Sequence, residues 1–353
     1  MSASEHWVVV GLDNGGTSNN ATVLDSHGHF LVDRLVENAS FVHEGPEVAL
    51  DALASALDHV LELTGTARSA VRAVGLDTPG PTSADGVVSS KGATNFSTPA
   101  WRGFDFRAGL QRKLGLPVVY NNDGNAAALY AHHVFFGARA GQESSVSAIV
   151  GTGLGGGIIE AGRVVRGVAG MAGELGHVHL PMQGLLESDQ PLPECNCGFV
   201  GDAESVASLK GIENNLLPYW LTRYPGHELH QMGSIGQAAK LVRSYAEKND
   251  PMALRILGQQ AKALGRLFTI AANFTDPSAY FLGGGVVETT PELRDWFLGE
   301  VRTNIVLREE QDRLTTIALV PDLDMAGARG SAIAALDSIH SDSALTTALP
   351  GLS

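Results

Sequence analysis

Apolar residues alternate along the chain between short strand-like runs closed by glycine turns and longer stretches with helical spacing. Residues 7–12 read as a buried strand that ends in Asp13-Asn14-Gly15-Gly16-Thr17, and residues 21–24 and 30–32 form a hairpin about Asp25-Ser26-His27-Gly28. After Pro46, the positions Leu50, Leu53, Leu57, Val60 and Leu61 share one helix face. A strand over 71–76 leads into a loop-rich stretch, 79–104, with a short hairpin about Asp85-Gly86-Val87-Val88. A short helix follows, and then the strand Val118-Val119-Tyr120 runs into the polar turn Asn121-Asn122-Asp123-Gly124-Asn125 and the helix formers 126–130.

The opening order then repeats. Residues 146–150 form a strand, Gly151-Thr152-Gly153-Leu154-Gly155-Gly156-Gly157 a glycine turn, and 158–160 with 163–165 a second hairpin. Two copies of strand, glycine turn and hairpin predict a duplicated α/β unit, each copy offering one glycine hairpin to a shared cleft. Beyond an irregular segment, 167–202, helices are expected at 204–209, 235–246 and 252–273. Strands are expected at 280–282, running into Gly283-Gly284-Gly285, and at 317–320. Gly327-Ala328-Arg329-Gly330-Ser331 opens a last helix through Leu336, and 341–353 reads as a loose tail. The expected division is a small N-terminal α/β domain, 1–122, completed by a C-terminal helix at about 325–340, and a larger domain, 123–324.

Composition narrows the function classes. The 353 residues, 44% of them hydrophobic, suffice for two cores. A net charge of −14, without a basic stretch, argues against nucleic acid or an anionic membrane as partner. No apolar run has membrane-spanning length, the N-terminus lacks signal-peptide features, and the two cysteines form no disulfide framework; a cytoplasmic protein is expected.

Asp123 stands at the end of a strand and the start of a helix, held by the sheet yet open to a cleft, where a general base belongs. A helix N-cap would use the same position. The glycine turns point to phosphate, because backbone N–H groups approach an anion freely where no Cβ intervenes. A Walker loop is excluded, as the chain has no Gly-Lys pair. A dinucleotide fingerprint fits Gly151, Gly153 and Gly156 only formally, since the loop runs into a strand rather than a helix. A clasp of two β-hairpins about a nucleoside triphosphate fits both turns.

Six motifs occur in order: Asp13-x-Gly-Gly-Thr17, Asn122-Asp123-Gly-Asn125-Ala-Ala, Gly151-Thr-Gly-Leu-Gly-Gly-Gly157, Gly-Glu174-x-Gly-His177, Cys195-x-Cys-Gly-x-x-Gly201-x-x-Glu204 and Leu-Gly-Gly-Gly285. Over residues 7–337 the chain resembles the ROK (repressor, open reading frame, kinase) family of sugar kinases. The resemblance implies an actin-like, ribonuclease H-like two-domain fold closing on ATP and a sugar. It implies Asp123 as the base acting on a hexose hydroxyl, the 6-hydroxyl, with glucose the first candidate. By the same resemblance Gly80, Asn95, Asn122, Glu174, His177 and Glu204 bind the sugar. Asp13 acts near Mg²⁺ through water, Gly15, Gly16, Thr17, Thr152 and Gly153 hold phosphates, and Gly284 and Gly285 lie under the adenosine. Asn14 and Ser18 depart from the residues usual in the first hairpin.

The family's structural zinc uses a histidine and three cysteines. Here His177, Cys195 and Cys197 are present, and Asp202 takes the third cysteine's place. A His-Cys-Cys-Asp site and a loop without metal both remain open. His179 reads as a surface or supporting histidine, and the polar segment 181–194 as an insertion that either caps the sugar pocket or is plain surface. Two rivals stand beside a glucokinase: an N-acetylhexosamine or aminosugar kinase, and a non-catalytic sugar-responsive regulator. The regulator is disfavoured by the charge and by the six residues ahead of Trp7, too few for a DNA-binding domain. A homodimer is the family's habit, and polyphosphate remains an alternative donor.

Overall fold

The computed structural model describes residues 6–80, 82–90 and 96–348. Contacts divide the chain into two units. One comprises Met1–Gly137, Arg163–Ala172 and Pro321–Ser353, the other Ala138–Gly162 and Gly173–Val320.

In the first unit, β1 (Val8–Asn14) buries its whole apolar run because strands cover both its edges. It pairs antiparallel with β2 (Ser18–Asp25), which pairs with β3 (Glu37–Ala39), and parallel with β4 (Val71–Thr78), which pairs with β5 (Val118–Asn122). The strand order is β3-β2-β1-β4-β5. The third strand expected at 30–32 is reduced to a bridge between Leu24 and Phe30, and Glu37–Ala39 takes its edge position. Helix α1 (Pro46–Thr64) packs its predicted face, Leu50, Leu53, Leu57, Val60 and Leu61, against this sheet and ends on Gly65 in the left-handed region. Helix α2 (Phe106–Leu114) is capped by Asp105, and α3 (Asp123–Phe136) follows β5 without a linker.

Helix α11 (Leu323–Ala348) covers the sheet's other face, packing on β1, β2, β4 and α3. It starts four residues before Gly327 and runs past Leu336, so the expected loose tail is helical as far as Ala348. Gly327 and Gly330 lie inside the helix, not ahead of it. Their role is close approach: a Cβ on Gly330 would stand 1.8 Å from the Ala126 carbonyl oxygen, and one on Gly327 2.9 Å from the Asp13 carboxyl carbon. Helix α3 belongs to this unit through its packing on α11, so the division falls at Gly137 instead of after residue 122. The two-residue strand β8 (Arg163–Val164) also contacts α3.

The second unit repeats the plan. β6 (Ser145–Val150) pairs antiparallel with β7 (Leu154–Glu160) and parallel with β9 (Ala279–Gly283), which pairs parallel with β10 (Thr316–Leu319). Thus β1, β2 and β4 have counterparts in β6, β7 and β9, as the repeated turn pattern predicts. The short helices α4 (Glu204–Ala207), α5 (Leu209–Gly211) and α6 (Leu217–Arg223) precede α7 (Ile235–Ala246). The long helix α8 (Pro251–Thr275) is capped by Asp250 and buries Ile256, Leu257, Leu264, Leu267, Phe268 and Ala271. Helix α9 (Pro291–Thr303), capped by Thr290, was not anticipated, and α10 (Glu309–Asp312) is one turn. No helix of the described residues is long and apolar enough to cross a membrane.

Candidate active site

The parallel register of the first sheet aligns Asp13 with Asp77 and Asp77 with Asn121, at the carboxyl ends of three adjacent strands. One residue on, Thr78 stands beside Asn122, and Asp123 begins α3. Backbone pairing therefore gathers the acids of this unit. The Asn122 Oδ1 caps α3 by accepting the Asn125 N–H at 2.7 Å, leaving its amide nitrogen to point elsewhere. Asp123 is exposed, and its Oδ1 accepts the Gly124 N–H at 2.7 Å. The cap in this helix is Asn122, so the carboxylate that follows is not the capping group.

Asp13 accepts a hydrogen bond from Asn20 across the hairpin, and the turn Gly15–Thr17 is closed by the Gly15 N–H on the Ser18 carbonyl, 2.8 Å. Asp77, which no sequence pattern singles out, is wholly buried and accepts a 2.8 Å bond from the Ser331 hydroxyl. Burial pushes its carboxyl well above the usual carboxylate range, with the neighbouring Asp13 carboxyl adding to the effect. Burial raises Asp13 too, against bonds from Asp77 and Asn20. The signal in the sequence was an acid at the end of a buried parallel strand. Gly80 follows this strand, and Asn95 lies outside the described residues.

In the second unit, the turn between β6 and β7 is backed by α4 and α5. The Leu209 and Lys210 N–H groups donate to the Gly151 and Thr152 carbonyls at 3.0 and 3.1 Å. The Glu204 Oε2 accepts the Leu154 N–H at 2.8 Å, and a Cβ on Gly153 would stand 2.6 Å from that oxygen. Only glycine fits at 153 while Glu204 holds the loop. Gly284 has φ +90°, and a Cβ there would meet the Val150 carbonyl at 2.2 Å; Gly285 offers its carbonyl to Arg243. Glu174 is exposed, directly before the short turn that carries His177.

The ligand atoms of His177, Cys195, Cys197 and Asp202 lie within 4.8 Å of one another. The two sulfurs are 3.1 Å apart, the His177 Nδ1 is 3.1 Å from the Asp202 Oδ2 and 3.6 Å from the Cys197 Sγ, and that sulfur is 3.9 Å from the Asp202 oxygen. Zinc with ligands at its usual distances sets tetrahedral donor–donor edges of roughly 3.3–3.8 Å. The donor set and its spacing fit that ion. Asp202 also shapes the backbone, since its Oδ1 accepts the Ser205 N–H at 2.9 Å and starts α4. His179 is exposed and packs its ring on Phe199 instead of joining the cluster. The insertion 181–194 is tied to its own unit: Leu185 is buried, Gln190 bonds Gln259 on α8, and Asp189 bonds Tyr219 and Arg223 on α6.

The duplicated sheets, each opening with an antiparallel glycine hairpin, define the actin-like ATPase class. The chain belongs to the ROK family, whose model matches residues 9–338. It is 33% identical over 288 residues to a glucokinase of Halalkalibacterium halodurans, covering 80% of this chain and 81% of that one. A ROK hexokinase structure from Thermus thermophilus superposes with a TM-score of 0.73 at 30% identity, over 95% of this chain and 99% of that chain. A ROK family glucokinase from Streptomyces griseus, solved with glucose and AMPPNP, gives 0.65 at 28% identity, over 94% and 99%.

Proposed function

We propose that the protein is an ATP-dependent sugar kinase that phosphorylates a hexose hydroxyl, the 6-hydroxyl, with glucose as the first expected substrate. The observation that carries this reading is Asp123, exposed at the first position of α3 while its neighbour Asn122 supplies the cap. Asp123 takes the hydroxyl proton as the sugar oxygen bonds to the γ-phosphorus and the bond to the β-phosphate oxygen breaks, releasing ADP. Phosphoryl transfer demands positioning and charge neutralisation above all, so one carboxylate suffices as base.

Sugar binding is assigned to Gly80, Asn95, Asn122, Glu174, His177 and Glu204. His177 can serve twice, since its Nδ1 faces the Cys-Cys-Asp cluster and its Nε2 remains for a hydroxyl. Gly15, Gly16, Thr17, Thr152 and Gly153 receive phosphates, Gly284 and Gly285 the adenosine, and Asp13 the hydrated Mg²⁺, which supplies positive charge against the triphosphate. His177, Cys195, Cys197 and Asp202 are assigned to a structural zinc. A cytoplasmic homodimer completes the reading, checked by light scattering.

The deciding experiment is ADP release from Mg-ATP with glucose, mannose, N-acetylglucosamine, N-acetylmannosamine, glucosamine and allose, alongside Asp123→Asn. Sugar-dependent turnover that collapses in the variant supports both reaction and base. A best rate on an N-acetylhexosamine or aminosugar selects the runner-up substrate. Sugar binding without turnover moves the protein to the regulators.

A further inference from the structure

The first unit holds a recess open to solvent, with about 270 Å³ of empty space between its walls. The hydrogen-bonding side chains that line it are Thr82, Ser83, Asn121, Asn122, Asn125 and Arg166, together with the Tyr120 hydroxyl, and none is a carboxylate. The Arg166 Nη2 donates to the Asn121 Oδ1 at 3.0 Å, and Arg166 forms no ion pair among the described residues. That bond turns the Asn121 amide so that its nitrogen, in a side chain 4% exposed, has no partner. Asn125, 5% exposed, likewise keeps its Oδ1 without one. The Asn122 oxygen is used by the α3 cap, so its amide nitrogen is what remains. The Tyr120 hydroxyl fixes that of Thr82 at 2.6 Å.

Donors therefore dominate: a guanidinium and two amide nitrogens, against one amide acceptor. A buried amide without a partner is costly, and a ligand that satisfies it removes that cost. A guanidinium held by an amide retains its full charge, and its planar fork matches a carboxylate or phosphate. Asp85 is close enough for its charge to be felt at Arg166, yet it neither pairs with the guanidinium nor lines the recess. In a chain of net charge −14, a cation left unpaired in this way is selective for an anion.

We propose that this recess binds an anionic oxygen group carried by the sugar, a carboxylate or a phosphate ester, and so selects an acidic sugar over its neutral counterpart. Arg166 and the Asn121 amide nitrogen grip the anionic oxygens, and the Asn125 oxygen accepts a hydroxyl proton. The inference rests on the sugar-kinase reading, because Asn122 links the recess to the base at 123.

The test compares acceptors that keep a free 6-hydroxyl: gluconate and N-acetylmuramate as carboxylates, glucose 1-phosphate as the ester, and glucose and N-acetylglucosamine as neutral counterparts. Two readouts are taken on the full chain, kcat/KM for ADP release and the Tm shift given by each compound without ATP. One acidic compound is expected to exceed its neutral counterpart at least tenfold in kcat/KM, and Arg166→Met to shrink that ratio tenfold or more, with Arg166→Lys between. Carboxylate or phosphate is settled by which arm responds. A neutral sugar preferred over every acid, or a ratio unchanged in Arg166→Met, overturns the proposal. If no sugar is turned over at all, the kinase reading fails; a Tm shift by gluconate or glucose 1-phosphate that Arg166→Met loses still supports the anion site, and its absence sinks it. Should Arg166→Met not fold, Asn121→Asp sets a like charge in the recess and must erase the acid preference.

Discussion

Ser331 of α11 donates a 2.8 Å hydrogen bond to Asp77 of β4, and both side chains are fully buried. The pair fastens the C-terminal helix to the sheet beneath the acids of the first unit. Ser331→Ala removes a donor from a buried carboxyl that already has one oxygen without a partner. The expected cost is about 1–3 kcal/mol, read as a lower urea midpoint. An unchanged midpoint would show that the bond is not structural.

The glycines of α11 make a steric prediction. Gly330→Ala places a carbon 1.8 Å from a backbone oxygen of α3, whereas Gly141 has nothing within 4 Å of such a carbon. Gly330→Ala should lower stability by about 3 kcal/mol or more, since neither backbone can yield cheaply. Gly141→Ala should stay close to the parent in the same melting experiment.

Asp123→Asn should lower kcat by roughly 10²-fold or more while sugar binding, followed by thermal shift, persists. Loss of both together would assign Asp123 to binding rather than proton transfer.

The thiolate cluster predicts metal content. The purified protein should carry zinc in a ratio close to one per chain, measured by elemental analysis, and Cys197→Ser should lose most of it. Burial pushes the Cys195 thiol upward, so a thiol without metal there stays protonated at neutral pH. Zinc retained in full by both Cys197→Ser and Asp202→Ala would exclude the site.

Asp337 on α11 supplies a pH dependence. Burial raises its carboxyl from 3.8 to about 6, against the attraction of Arg163. Its folded-state value lies above the unfolded one, so its contribution to stability is fully present below about pH 4 and is lost as pH rises through about 6. Asp337→Asn should therefore melt higher than the parent at pH 7.5, with the gap closing towards pH 4. A gap independent of pH would contradict the assignment.

Much of the fold was legible because each sheet announces itself twice, as a buried run and as the glycine turn that ends it. The strand at 30–32 misled because Phe30 and Leu31 have strand character, yet only one bridge forms there. The last helix was cut short at both ends because Gly327 and Gly330 read as punctuation, when their bare backbones serve close packing. Asp77 went unnoticed since one acid in an apolar run says nothing of the neighbours that register gives it. Arg166 and Asn121 are more than forty residues apart, and no local pattern reveals that they touch.

Asp202 divides its two oxygens between unlike duties, one turned to the cysteine and histidine donors and one starting the helix that carries Glu204. A thiolate has a single coordinating atom and is a poor acceptor for a backbone N–H. The exchange of cysteine for aspartate thus trades ligand softness for a mechanical coupling, in which tension at the metal centre is passed directly to the first turn of α4. From there it reaches Leu154 in the glycine hairpin through one carboxylate. Restoring cysteine at position 202 would strengthen the grip on zinc and at the same time disengage the lever.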